Sequence, residues 1–337
     1  GEAGVGLEER LVHLPAPLCL IPNLAIHLQT AEERKAFALN NEKHLKPVLC
    51  MPCGVAPVQS TAVGSASAGT DGAEAEAEQG ARHHDELLSQ VAATLGVEAK
   101  RILDVDLCLM DATPSCLAGQ YVSSPRIDNV LSTWAVMDSI ATFAQSDDFA
   151  SSTDLLVSAS FDHEEVGSRS ATGADSAALG HWLDRTLECL DAGPWAEISA
   201  RSFLLSCDCA HGLHPNYADK HQTEHSPILG KGAVIKANPN QRYATTPLLA
   251  QLVREVGKLA QVPLQEFVVR NDCPCGSTIG PMLSASLGVR TVDVGAPQWA
   301  MHSCRETAHG ADVSALRELC RGIFKHFREV DASTTCL

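Results

Sequence analysis

Carboxylates and histidines flank the apolar segments of this sequence, where the ends of strands and the starts of helices would place them. Carboxylate oxygens and imidazole nitrogens both suit zinc, and a shared carboxylate can hold two metal ions about 3.5–4 Å apart. Such a pair of ions serves hydrolysis, because one ion clamps the substrate and the other activates water. The pattern therefore favours a hydrolytic metal site. The residues concerned are Asp128, Asp162, His163, Glu164, Glu165, Asp208, His211 and His302.

The adjacent pair Glu164-Glu165 is the sharpest feature of this set. Neighbouring residues on an extended segment or a sharp turn point in different directions, so one carboxylate can bind metal while the other faces the reacting water as a general base. Simpler interpretations stay open at this point. An acidic pair after a strand is usually a solvated loop or the first turn of a helix, Asp128 could be only a helix N-cap, and His302 alone is more typical of a core or surface histidine.

Other motifs exclude or weaken alternative chemistries. The chain has no phosphate-binding loop, no dinucleotide fingerprint and no nucleophile elbow, and Gly167 stands where a H-E-x-x-H motif needs its second histidine. A rival zinc site would use cysteines, since Cys50-x-x-Cys53 has zinc-ribbon spacing. No second C-x-x-C accompanies it, so buried or surface thiols are the favoured interpretation.

Short apolar segments alternate with longer amphipathic ones after residue 106. This alternation predicts an α/β protein with a largely parallel, covered sheet, in which ligands bind at the carboxyl ends of the strands. An earlier helix is expected over 85–95. The predicted strands are 155–161, 202–207, 266–269 and 289–294, and the predicted helices are 129–143, 171–189, 246–260, 279–287 and 313–327.

Composition narrows the class of protein. The 337 residues carry 25 basic and 41 acidic side chains, a net charge of −16, so we expect no nucleic-acid partner. No apolar segment is long enough to span a membrane, and the 13 cysteines form an odd set typical of reduced thiols, which predicts a cytoplasmic protein. Residues 54–82 are rich in Ala, Gly, Ser and Glu, and this predicts a mobile loop.

Several long motifs, taken together and in order, closely resemble those of the aspartyl aminopeptidases of metallopeptidase family M18. The resemblance covers nearly the whole chain outside residues 54–82. It also implies the fold: a zinc-exopeptidase-like mixed sheet covered by helices, with a smaller inserted oligomerisation domain. The matching segments are 21–28 (IPNLAIHL), 124–129 (SPRIDN), 162–168 (DHEEVGS), 208–217 (DCAHGLHPNY), 236–238 (KAN) with Tyr243, 269–281 (VRNDCPCGSTIGP) and 298–306 (QWAMHSCRE).

The resemblance implies a zinc exopeptidase that removes N-terminal Asp or Glu from peptides. In that family pattern two zinc ions are bridged by one aspartate, and a glutamate deprotonates the attacking water. The family assembles as a dodecamer in which a histidine reaches into a neighbour's active site. By motif, the implied roles are metal ligands Asp128, Glu165, Asp208 and His302, general base Glu164, and substrate contacts His27, His211, Lys236 and Tyr243.

One departure from the family pattern concerns the first metal ligand. In the family it lies in a His-x-Asp motif upstream of the region matching 11–28, whereas the His-x-Asp triplet of this sequence, His83-His84-Asp85, lies downstream of that region. We therefore expect residues 1–106 to be a remnant of the inserted oligomerisation domain and 107–337 to be the zinc peptidase domain, with one good zinc position and one poor one. The alternative is an N-terminally truncated, catalytically impaired homologue that acts as an assembly subunit. No role is assigned to His163.

Overall fold

The computed structural model describes residues 6–49 and 83–334, which divide into two compact units, Gly1–Ala112 and Thr113–Leu337. The predicted loop 54–82 and the pair Cys50 and Cys53 lie outside the described residues. Within the described part no helix is long and apolar enough to cross a membrane, and the cysteines are free thiols.

The first unit consists of short helices joined by extended chain. Thr30 caps the first helix, and its hydroxyl and the Glu33 side chain form a reciprocal capping box. Gly96 ends the third helix in the left-handed conformation that glycine adopts without strain. The predicted helix over 85–95 is confirmed. The helices are α1 (Ala31–Lys35), α2 (Asn41–His44) and α3 (Asp85–Leu95).

The second unit holds two mixed sheets, which confirms the α/β class, but the prediction of a largely parallel sheet is wrong because antiparallel pairs occur in both sheets. One sheet has the strand order β3-β7-β5-β6, in which β3 pairs parallel to β7 while β5 pairs antiparallel to β7. The other sheet has the order β1-β2-β9-β8-β4. The strands are β1 (Cys116–Ala118), β2 (Tyr121–Ser124), β3 (Phe203–Cys207), β4 (Ala210–His211), β5 (Ala233–Lys236), β6 (Leu264–Phe267), β7 (Arg290–Gly295), β8 (Pro297–Trp299) and β9 (Glu306–His309).

Helices cover the four-stranded sheet and bury its apolar side chains. Ile235, Val292 and Val294 of the sheet are fully buried and pack in one cluster with Leu316 and Leu319 of the last helix. Each such side chain contributes about 1.5–3 kcal/mol to folding. This core gives the loops at the ends of these strands a rigid support. The helices are α4 (Ile127–Phe143), α5 (Asp147–Ala150), α6 (Ala178–Cys189), α7 (Trp195–Arg201), α8 (Pro247–Leu259), α9 (Gly280–Leu287) and α10 (Gly310–Ser333).

Three of the predicted elements differ from the structure by more than two residues, and one of them, the helix 313–327, is longer and spans Gly310–Ser333. The predicted strand 155–161 is wrong, because this segment forms no strand pairing, and it lines an apolar cavity together with β3, an edge strand. A strand needs a neighbour to which its backbone can bond, and local sequence does not reveal that neighbour. The predicted helix 171–189 begins only at Ala178, since turns occupy the preceding residues.

Candidate metal centre

Asp128 lies where the end of β2 turns into α4. Arg126 caps the helix in the left-handed conformation, at φ 55°, and Asp128 itself has the non-helical angles φ −80° and ψ 112°. Its peptide bond to Asn129 is cis. The Asn129 side chain donates to the Cys207 carbonyl at 2.9 Å, which ties this turn to the carboxyl end of β3. The turn therefore directs Asp128 out of the helix rather than along its surface.

Glu164 and Glu165 occupy a single 3₁₀ turn, Glu164–Val166. The residues at either end of this turn, His163 and Gly167, both have positive φ, at 62° and 106°. Gly167 takes the larger of these angles at no steric cost because it has no Cβ. In this sharp turn Oε1 of Glu165 lies 3.3 Å from Nε2 of His302, whereas Glu164 lines the apolar cavity, so the two adjacent carboxylates have different surroundings.

Three of the predicted ligands converge. The Nε2 atom of His302 lies 3.2 Å from Oδ2 of Asp128 and 3.3 Å from Oε1 of Glu165. One ligand atom from each of the three side chains lies within 4.8 Å of the other two. Two carboxylates and one imidazole form a donor set that fits a zinc ion with an open position for water or substrate.

Asp208, the fourth predicted ligand, is held differently. It follows β3, and its Oδ2 accepts a hydrogen bond from Nζ of Lys236 at 3.2 Å. That ammonium also donates to the Cys209 carbonyl at 3.0 Å and lies 5.0 Å from the centre of the Tyr243 ring. Lys236 is only 2% exposed, so its charge depends on these protein partners rather than on water.

Burial and neighbouring carboxylates raise the pKa of two side chains of the centre, Asp128 and Glu164. Burial, followed by the charges of Asp208, Glu165 and Glu306, raises the pKa of Asp128 to about 8. Burial and the charge of Asp208 likewise raise the pKa of Glu164. Burial opposes the charged form of Lys236, but Asp208 and Asp293 outweigh it and raise the pKa of that ammonium. The centre therefore carries an excess of negative charge that a divalent cation would compensate.

The predicted substrate-contact residues divide into two groups. Tyr243 is buried and faces the ammonium of Lys236, and His211 packs edge-on against the Phe267 ring at 5.6 Å between ring centres. His27 lies exposed in a 3₁₀ turn of the first unit. The structure thus brings Lys236 and Tyr243 together, while the roles of all four residues stay predictions.

Sequence reasoning missed one residue of the centre. The buried carboxylate of Glu306 accepts hydrogen bonds from the backbone amides of Asp128 and His302. Glu306 is part of the matching segment 298–306, but no spacing rule connects it to a backbone amide so far away in the sequence. No other signal in the sequence would have found it.

Comparison with known proteins identifies the family. The model of the Aminopeptidase I zinc metalloprotease family (M18) matches residues 2–324. An aspartyl aminopeptidase of Aspergillus oryzae is 42% identical, with 95% of this chain and 69% of the relative covered. An aspartyl aminopeptidase of Caenorhabditis elegans is 38% identical, with 92% of this chain and 65% of the relative covered. The chain therefore spans about two thirds of the length of these curated relatives.

Solved structures of related proteins have the same fold. A chain from the cryo-electron microscopy structure of the Ape4 and Nbr1 complex superposes with a TM-score of 0.84 at 35% identity, covering 96% of this chain and 60% of the other. The crystal structure of prApe1 superposes with a TM-score of 0.80 at 28% identity, covering 95% of this chain and 65% of the other. The predicted family and fold are confirmed. The chain belongs to the M18 family of zinc metalloproteases.

Proposed function

We propose that this chain carries the catalytic site of a zinc aminopeptidase that releases Asp or Glu from the N-terminus of peptides. The convergence of Asp128, Glu165 and His302 at one point carries the proposal, because these residue types suit zinc at these distances. The names of the aspartyl aminopeptidase relatives support the acidic substrate. The proposed catalytic domain is 107–337, and the proposed remnant of an oligomerisation domain is 1–106.

The chain's own residues supply the proton transfer. Zinc bound by Asp128, Glu165 and His302 would polarise the scissile carbonyl and acidify a water molecule. Glu164 takes the proton from the attacking water and returns it to the leaving amine, as general bases do in peptide hydrolysis. Glu164 adjoins the proposed ligand Glu165 in the same turn, and Asp208 and Lys236 are near enough to act on its charge.

Lys236, Tyr243 and His211 would select the acidic side chain of the substrate. A buried ammonium favours a carboxylate strongly over an apolar group, because the apolar group would leave its charge unpaired. In this structure Lys236 already bonds Asp208, so a substrate carboxylate would share or replace that partner. The selectivity for Asp over Ala at the N-terminus therefore depends on Lys236.

The proposal is tested with the chain reconstituted with zinc and given a peptide with N-terminal Asp. The Glu164→Gln variant should lose about 10²–10⁴-fold in hydrolysis rate while it keeps its zinc, since a general base contributes that much. Glu197→Gln, an exposed glutamate on α7, is the matched control. Full activity in Glu164→Gln would contradict the assigned base.

A second candidate function is an assembly subunit with impaired catalysis. The described residues contain one group able to hold a metal, and Asp208 belongs to an ion pair instead, which favours this alternative. A relative solved as the mApe1 dodecamer of Saccharomyces cerevisiae supports self-association, with a TM-score of 0.73 at 25% identity. Zinc binding without any hydrolysis, together with dodecamers in analytical ultracentrifugation, would favour assembly over catalysis.

In the dodecamer we propose, His27 would contact the substrate site of a neighbouring subunit. A His27→Ala variant should then keep its zinc and its fold. Its activity should be lower than that of the unsubstituted chain in dodecamers, but not in separated subunits. A cytoplasmic location stays a prediction from the sequence.

A further inference from the structure

Glu306 is a buried carboxylate to which the chemistry above gives no task. It opens β9 and pairs opposite Ser124 of β2, only 2% exposed. Burial of a carboxylate costs free energy unless hydrogen bonds replace its water. The partners that replace water around Glu306 therefore indicate what this side chain does.

Those partners are two amides of the metal centre. Oε2 of Glu306 accepts from the backbone N–H of Asp128 at 2.9 Å, and Oε1 accepts from the backbone N–H of His302 at 2.8 Å. One carboxylate thus joins the backbones of two proposed ligands that are far apart in the sequence. Both hydrogen bonds have a charged acceptor, which makes them stronger than bonds between neutral groups.

Both amides belong to backbone segments without regular helical or strand geometry. Asp128 has non-helical angles at the start of α4, and His302 has φ 66° in the turn between β8 and β9. A non-glycine residue with positive φ is strained and persists only where its surroundings fix it. Without an acceptor, the amide of buried Asp128 would also lose its hydrogen bond. Glu306 supplies both the fixed point and the acceptors.

We propose that Glu306 is a positioning residue that fixes the spacing between Asp128 and His302, so that both side chains reach the same metal ion. The 3.2 Å between their ligand atoms is then set by one rigid group rather than by two independent turns. This inference rests on the proposed zinc site. Partners that orient metal ligands typically contribute 10–100-fold to metal affinity, and we expect an effect of that size here.

Two variants separate positioning from charge. In Glu306→Gln the side chain keeps its length, but its amide nitrogen is a donor and cannot accept from the second N–H. In Glu306→Asp the charge is kept, but the shorter side chain cannot reach both amides. Positioning predicts about 10–100-fold weaker zinc binding in both variants, measured by competition with a chromophoric chelator. Glu329→Gln, an exposed glutamate on α10, should bind zinc like the unsubstituted chain.

Other zinc affinities in these variants would overturn the positioning role of Glu306. Zinc affinity that falls in Glu306→Gln but not in Glu306→Asp would show that only the charge of Glu306 acts, and would overturn positioning. Unchanged affinity in both variants would overturn it as well. If the unsubstituted chain bound no zinc, the zinc site itself would fail, which separates that result from a failure of Glu306.

A measurement on the unsubstituted chain does not depend on variants that fold. Hydrogen exchange without metal should show the amides of Asp128 and His302 protected, although the His302 side chain is 62% exposed. Exchange of these two amides at the rate of an unstructured peptide would contradict the contacts on which the inference depends.

Discussion

Asp128 and Asp208 lie within reach of each other in the same acidic centre, yet different partners hold them. Asp128 is 7% exposed and faces His302 and Glu165, two side chains that can share a metal with it. Asp208 is 20% exposed and faces the ammonium of Lys236. The negative charges of Asp208, Glu165 and Glu306 act on the first carboxylate, whereas the second has an ammonium partner that offsets its charge.

This difference indicates that the two carboxylates have different roles, one in metal binding and one in stability. A carboxylate among other metal ligands gains from a bound cation, because the cation relieves the repulsion among them. A carboxylate already paired with a buried ammonium gains less, since a cation placed there is repelled by the ammonium. We therefore expect metal affinity to come from the Asp128 side and fold stability to come from the Asp208 side.

The largest expected difference is in zinc affinity, between the substitutions Asp128→Asn and Asp208→Asn. Asp128→Asn should weaken zinc binding at least about 100-fold, because it removes an anionic ligand next to His302 and Glu165. Asp208→Asn should change zinc affinity by only about threefold, because that carboxylate is engaged by Lys236. Chelator competition measures both values. Equal losses of zinc affinity in the two variants would contradict the different roles of Asp128 and Asp208.

Loss of the ammonium should act on stability instead. Lys236→Met keeps the length of the side chain but leaves Asp208 without its charge partner, and breaking a buried pair in this way costs about 3–5 kcal/mol of unfolding free energy. Urea denaturation measures the change, with Lys231→Met at an exposed position as the control. A variant as stable as the parent would show that the Lys236–Asp208 pair contributes nothing to folding.

Substitutions of His163 should have the smallest effect on stability, because this residue lies beside the site and forms no hydrogen bond or ion pair with Asp128 or Asp208. Its φ is 62°, and its Nδ1 lies 2.7 Å from the Ser170 hydroxyl. Asparagine tolerates this backbone conformation, so His163→Asn should change stability by no more than about 0.5 kcal/mol. His163→Val, whose branched side chain is strained there, should lose about 1–2 kcal/mol. Thermal unfolding distinguishes the two, and equal melting temperatures would contradict the role given to backbone conformation.

Strong local patterns predicted much of the fold. The helical periodicity of α8 and α9 and the apolar segments of β3 and β7 identified these elements to within one residue of their observed ends, whereas α10 begins three residues before and ends six residues after the predicted helix 313–327. The second sheet was not predicted from the sequence. Its strands are only two to four residues long, too short to show a period.

The site was predictable where motifs carry it and not where distant contacts decide it. Asp128, Glu165 and His302 stand in motifs of the family, and the structure brings them together. The pairing of Lys236 with Asp208 and the hydrogen bond from the Asp128 amide to Glu306 join residues far apart in the sequence. Local spacing carries no information about such contacts, so only the fold reveals them.

The central claim is that Asp128, Glu165 and His302 hold zinc while Asp208 does not hold a second ion of equal affinity. The most direct test is the zinc content per chain, measured by elemental mass spectrometry after reconstitution and desalting, for the unsubstituted chain and for His302→Ala. We expect a single retained zinc ion that is lost in His302→Ala. Two retained ions, or zinc that the substitution leaves unchanged, would contradict it.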